Sequence, residues 1–158
     1  MLLEFADASE EKIIRDAMEQ FHKLTCIRFV EHQANPFLTD YIYIDKAQTG
    51  CWSSVGKLGG RQVVNLQSPG CLSTLGTPIH ELMHAVGFLH EQNRWERDTY
   101  IKVKWENIQK GREVNFEKST KEMSDALGVA YDYRSVMHYS PFAFSTNGEQ
   151  TISTMVII

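Results

Sequence analysis

The sequence predicts an α/β (α+β) chain, with its regular elements before Gly87 and a loop-rich half after it. Three observations carry this prediction. Apolar residues recur at helical spacing near the start; short β-branched and aromatic runs between turn signals follow; beyond Gly87 neither period is sustained.

The elements follow in chain order. A helix opens at Asp7, with Asp7 and Glu10 spaced as a capping box, and Ile13, Ile14, Ala17, Met18, Phe21 and Leu24 form its apolar stripe. Residues 26–30 and 41–44 read as short strands, separated by the break at Asn35-Pro36. A glycine-punctuated stretch from Gly50 to Gly60 leads into a third strand over residues 61–66. A second helix begins near Ser73, or at Thr77 as cap with Pro78 in the first helical position. Residues 100–105 alternate weakly, and residues 110–123 hold a short helix.

Bulk properties narrow the function classes. The 158 residues fit one domain, and 42% hydrophobic with 23% charged residues is ordinary for a soluble globular chain. A net charge of −4 supplies no basic surface for nucleic acid or anionic membrane. No apolar run approaches the roughly eighteen residues of a membrane span, and the opening MLLEFADASEE turns acidic before a signal-peptide core could form. Three cysteines are an odd count. A reducing compartment would keep them as free thiols, and an oxidising one would give one bridge and one orphan.

The chemistry is concentrated in residues 80–90, His-Glu-Leu-Met-His-Ala-Val-Gly-Phe-Leu-His. On a helix His80 and His84 stand one turn apart on one face, so both imidazoles reach one ion. His90 lies six residues further, and a continuing helix would carry it about 240° around the axis, away from that ion. Gly87 removes the difficulty, because glycine adopts the left-handed conformation that ends a helix and redirects the chain. Three neutral imidazoles suit zinc and leave one coordination position for water. Glu81 is placed to take a proton from that water and return it to a leaving amine. Leu82, Met83, Val86 and Phe88 are apolar, as expected of the buried side of the helix. A bare His-x-x-x-His pair is often structural; the intervening Glu81, Gly87 and the third histidine extend it to the metzincin pattern.

Residues 80–94 with Arg97-Asp98, Ser135-Val136-Met137-His138-Tyr139, residues 25–29 and residues 50–53 together resemble the astacin family of metzincin zinc endopeptidases. The resemblance implies a metzincin-type fold, with a twisted mixed sheet and two helices in an upper half and an irregular lower half after Gly87. It implies one catalytic Zn2+ held by His80, His84 and His90, with Glu81 as general base. Tyr139 becomes a hydrogen-bond donor to the tetrahedral intermediate and Met137 an apolar floor. Glu91 receives the mature N-terminus. Cys51 pairs with Cys71, while Cys26 matches a half-cystine whose partner is absent from this chain. His22, His32 and His138 lack ligand spacing and read as structural or exposed.

By the same resemblance, residues 1–158 are a single peptidase domain, incomplete at both ends, without the first strand and propeptide or the C-terminal helix region. The expected activity is hydrolysis of internal peptide bonds in a protein or peptide substrate by a metal-bound water, in a secreted protein. No nucleic-acid partner and no membrane span are expected. One rival is a weak or inactive relative that binds zinc or protein without turnover. A structural zinc domain is the other, and it would want four protein ligands.

Overall fold

In the computed structural model, which describes residues 8–32 and 37–155 and the backbone of residues 2–3, the chain forms two compact units, Met1–Phe88 and Leu89–Ile158. Asp7, Asn35-Pro36 and residues 156–158 lie outside the described residues.

The first unit is built on two helices and a mixed sheet. Helix α1 spans Ala8–Leu24, and Ile14, Ala17, Met18 and Phe21 are buried along its apolar stripe with Ile13 packed beside them. Each large apolar side chain so buried contributes about 1.5–3 kcal/mol. Leu24 falls in the last turn, beyond the face that packs, and is 78% exposed. Glu10 accepts a hydrogen bond from the Ser68 hydroxyl, and Asp7, its expected partner in a capping box, is among the residues not described.

Strands β1 (Leu2–Leu3), β2 (Tyr41–Asp45), β3 (Cys51–Ser53) and β4 (Arg61–Leu66) form one sheet in the order β1-β2-β4-β3. The first three neighbours run parallel and β3 is the antiparallel edge. Residues 26–30 form no strand. Their donors are met locally instead: Ile27 N–H by the Thr25 hydroxyl and Phe29 N–H by His22 Nε2, while Ile27 and Phe29 lean on the core. Asn65 is fully buried in β4 and exchanges hydrogen bonds with both backbone groups of Ala47, so a buried amide pins the β2–β3 connection. The Cys51–Cys71 disulfide joins β3 to the 3-10 turn Gly70–Leu72.

Helix α2 spans Gly76–Ala85. It starts one residue before Thr77 and three after Ser73. The preceding Leu75 is already in the right-handed helical region and makes no side-chain cap, so neither expected cap operates. Leu82 is fully buried and Met83 and Val86 pack against the same core. Phe88, past the helix end, is instead 52% exposed.

The second unit is mostly irregular chain, as its lack of period predicts, with short 3-10 turns along it. Two strands, β5 (Ile101–Val103) and β6 (Ile152–Thr154), pair antiparallel. Their apolar residues join Ile108, Phe116 and Tyr131 in a separate small core. The helix expected within residues 110–123 is only the 3-10 turn Glu113–Phe116. Buried side chains hold these loops: Arg97 donates to the carbonyls of Gln92 and Phe116, and Thr151 to that of Ala143. Among the described residues no helix is long and apolar enough to cross a membrane.

Candidate metal centre

Helix α2 ends in a way that creates the centre. The Gly87 N–H donates to the His84 carbonyl and the Phe88 N–H to the Met83 carbonyl, the paired closing bonds of a Schellman motif. Gly87 sits at φ +112, where an L side chain is strained. The His84 carbonyl takes a second donor, Gly56 N–H at 2.9 Å. The turn also brings the Phe88 carbonyl to 2.8 Å from His84 Nδ1. A carbonyl only accepts, so Nδ1 carries the proton and Nε2 presents its lone pair.

His80, His84 and His90 each offer one ring nitrogen, and these three atoms lie within 4.8 Å of one another. The rings of His80 and His84 meet edge to face at 4.7 Å. Burial lowers the His84 pKa, the Phe88 carbonyl acts the other way, and His80 lowers it further. Neutral imidazole is the ligand form, so a buried, singly donating His84 is matched to a metal. The donor set fits zinc: three convergent nitrogen ligands, joined among the described residues by no cysteine or carboxylate.

Glu81 follows His80 on α2 and is 5% exposed. Burial alone pushes its carboxyl up to about 7. A carboxylate poised there can both take and return a proton near neutral pH.

Tyr139 belongs to the second unit, and its ring lies 4.6 Å from that of His90. Met137 is buried, and its carbonyl accepts from the Glu91 N–H. Glu91 is not solvent-facing: Oε1 accepts from Arg94 at 2.8 Å and from the Asp132 N–H at 2.9 Å. Arg94 also pairs with Glu96. Cys26 is exposed and free. His22 and His32 make local contacts, with the Phe29 N–H and the Leu38 carbonyl. His138 is more engaged, bonding Tyr131 through Nε2 and the Tyr139 carbonyl through Nδ1.

Three supporting groups escaped the sequence reading: the Phe88 carbonyl, Gln92 and Tyr131. Gln92 is fully buried, and its Oε1 accepts the Tyr139 N–H at 3.1 Å. Burial, helped by the Glu91 charge, pushes the Tyr131 phenol up, which keeps it a donor to His138. Only the position of Gln92, two residues past the third histidine, hinted at a role.

Known proteins resemble this chain over nearly its whole length. A family model described as Astacin, a peptidase family, matches residues 1–157. The zinc metalloproteinase nas-13 of Caenorhabditis elegans is 48% identical over 149 residues, 94% of this chain and 32% of that protein. The zinc metalloproteinase nas-4 of the same nematode is 46% identical over 140 residues, 89% of this chain and 43% of that protein. This chain therefore spans about a third to two-fifths of those curated relatives. Among solved structures, High choriolytic enzyme 1, a hatching enzyme zinc-protease from Oryzias latipes, superposes with a TM-score of 0.86 at 39% identity, covering 94% of this chain and 71% of that one.

Proposed function

The chain belongs to the astacin family of peptidases, and from that premise we propose that it is a zinc-dependent endopeptidase that cleaves internal bonds of protein or peptide substrates. The observation that carries the proposal is the convergence of His80, His84 and His90 on one helix end that also bears the buried Glu81.

In this reading the three histidines are the metal ligands and the Schellman turn at Gly87 is what lets the third join the first two. When bound, zinc supplies Lewis-acid polarisation of the scissile carbonyl and acidifies water. Glu81 accepts the proton of the attacking water and delivers it to the departing amine. Tyr139 donates its phenol proton as a hydrogen bond to the developing oxyanion. Met137 serves as apolar packing in the second unit. The chain works outside the cell, a compartment in keeping with its disulfide.

Glu81→Gln tests the assignment. The variant is expected to keep one zinc per chain and lose hydrolysis of a terminally blocked peptide, because the base is removed and no ligand is. Loss of metal along with activity would reassign Glu81 as a ligand, and retained hydrolysis would remove it from the chemistry.

A further inference from the structure

Tyr139 lies outside every helix and strand, so no hydrogen-bond ladder fixes its main chain. Side chains do so instead, at both polar groups. Its N–H donates to Gln92 Oε1 at 3.1 Å, and its carbonyl accepts from His138 Nδ1 at 2.7 Å. Neither anchor is loose. Gln92 is fully buried, its carbonyl accepts from the buried Arg97 at 2.8 Å and its amide donates to Asn93. The far nitrogen of His138 accepts from the Tyr131 hydroxyl at 2.7 Å, and Tyr131 is buried with its ring stacked on Tyr100 at 4.7 Å.

We infer that Gln92 and His138 are positioning residues that hold the main chain of Tyr139 between them and so aim its phenol; the inference rests on the reading of Tyr139 as the oxyanion donor. The mechanical reason is leverage. The phenol oxygen of a tyrosine stands about 6.5 Å from its own Cα, so a main-chain rotation of about 10° displaces it by about 1 Å. A displacement of that size costs up to about a hundredfold in rate when the group must meet a reacting atom. The ring's neighbours, His90 at 4.6 Å, Phe144 at 5.6 Å and Phe116 at 5.7 Å, meet it tilted or edge-on rather than in a parallel stack. The main chain sets where the ring starts from, and these contacts then confine it. A leucine of similar size in place of Gln92 would fill the same space and leave the Tyr139 N–H without this acceptor, whereas glutamate would keep one.

The test is a double-mutant cycle on the zinc-loaded chain with a blocked peptide, using Gln92→Leu, Gln92→Glu and Tyr139→Phe. Gln92→Leu is expected to lower kcat about tenfold with KM changed less than about twofold, and Gln92→Glu to recover most of the loss. In the Tyr139→Phe background Gln92→Leu should have less than about a twofold further effect, because there is no phenol left to aim. A readout independent of metal accompanies it: amide hydrogen exchange at Tyr139 in metal-free protein should speed up in Gln92→Leu and not in Gln92→Glu. If Tyr139→Phe alone leaves kcat unchanged, the premise falls and the inference with it. If Tyr139→Phe lowers kcat but the Gln92→Leu factor multiplies in full, the inference is overturned while the role of Tyr139 stands. Should Gln92→Leu fail to fold, the same cycle with His138→Leu against His138→Asn, which keeps a donor toward the Tyr139 carbonyl, decides the matter by the same criteria.

Discussion

Replacing Glu81 by glutamine should make the stability of the metal-free chain depend on pH in a way that isolates this one carboxyl. Its pKa is raised from 4.5 to about 7 because burial penalises the charged form. The folded state therefore binds a proton that the unfolded state has already released between those two values. Stability from this group is present in full below about pH 4.5 and is lost as pH rises through about 7, the reverse of a salt-bridged carboxylate. The difference corresponds to about 3 kcal/mol, most of which falls between pH 5 and pH 8. Glutamine does not titrate, so the stability difference between Glu81→Gln and the parent should move in favour of the variant by about 2–3 kcal/mol over that interval. Urea denaturation in chelator at the two pH values reads it directly, with the histidines common to both proteins cancelling to first order. Metal-free protein is required because a bound dication lowers a nearby carboxyl. A difference that is the same at pH 5 and pH 8 would refute the claim that the helix end desolvates Glu81.

Three further outcomes follow from the same geometry. His84→Ala should lose stoichiometric zinc and hydrolysis together, and its melting temperature should no longer respond to chelator; metal analysis and calorimetry check this, and full activity would exclude His84 as a ligand. Gly87→Ala places a side chain at φ +112 but meets only the Gly56 Cα at 4.0 Å. Its cost is thus conformational, about 1–2 kcal/mol by denaturation, with zinc affinity about tenfold weaker as the Phe88 carbonyl leaves His84. Removing the Cys51–Cys71 bridge, which spans a sequence separation of 20, should cost about 3 kcal/mol in a Cys51→Ala/Cys71→Ala protein.

How far the sequence could be read depended on whether the deciding contacts were local. The stripe of α1 and the runs of β2 and β4 are set by period, and they appear where period places them. Residues 26–30 show why period is insufficient. Alternation makes a chain extended, but only a neighbour makes it a strand, and here Thr25 and His22 take the donors instead. β3 is three residues inside a glycine-rich stretch, too short to carry a pattern, and exists through its pairing with β4. α2 starts at Gly76, between the two starts that Ser73 and Thr77 offer, because the chain enters it already helical at Leu75 and without a side-chain cap. The ligand spacing and Gly87 were legible because one helical turn and one glycine turn are local geometry. Gln92 was not, because a glutamine reads as surface unless something distant buries it, and Tyr139, whose N–H it receives, is 47 residues away.

The central claim is that one zinc at His80, His84 and His90 makes this chain an endopeptidase. Its most direct test is to add zinc stepwise to metal-free protein while following cleavage of a peptide blocked at both ends. Internal cuts should appear in proportion to added zinc and level off at one equivalent per chain. Activity absent at full zinc occupancy, or persisting in chelator, would contradict it.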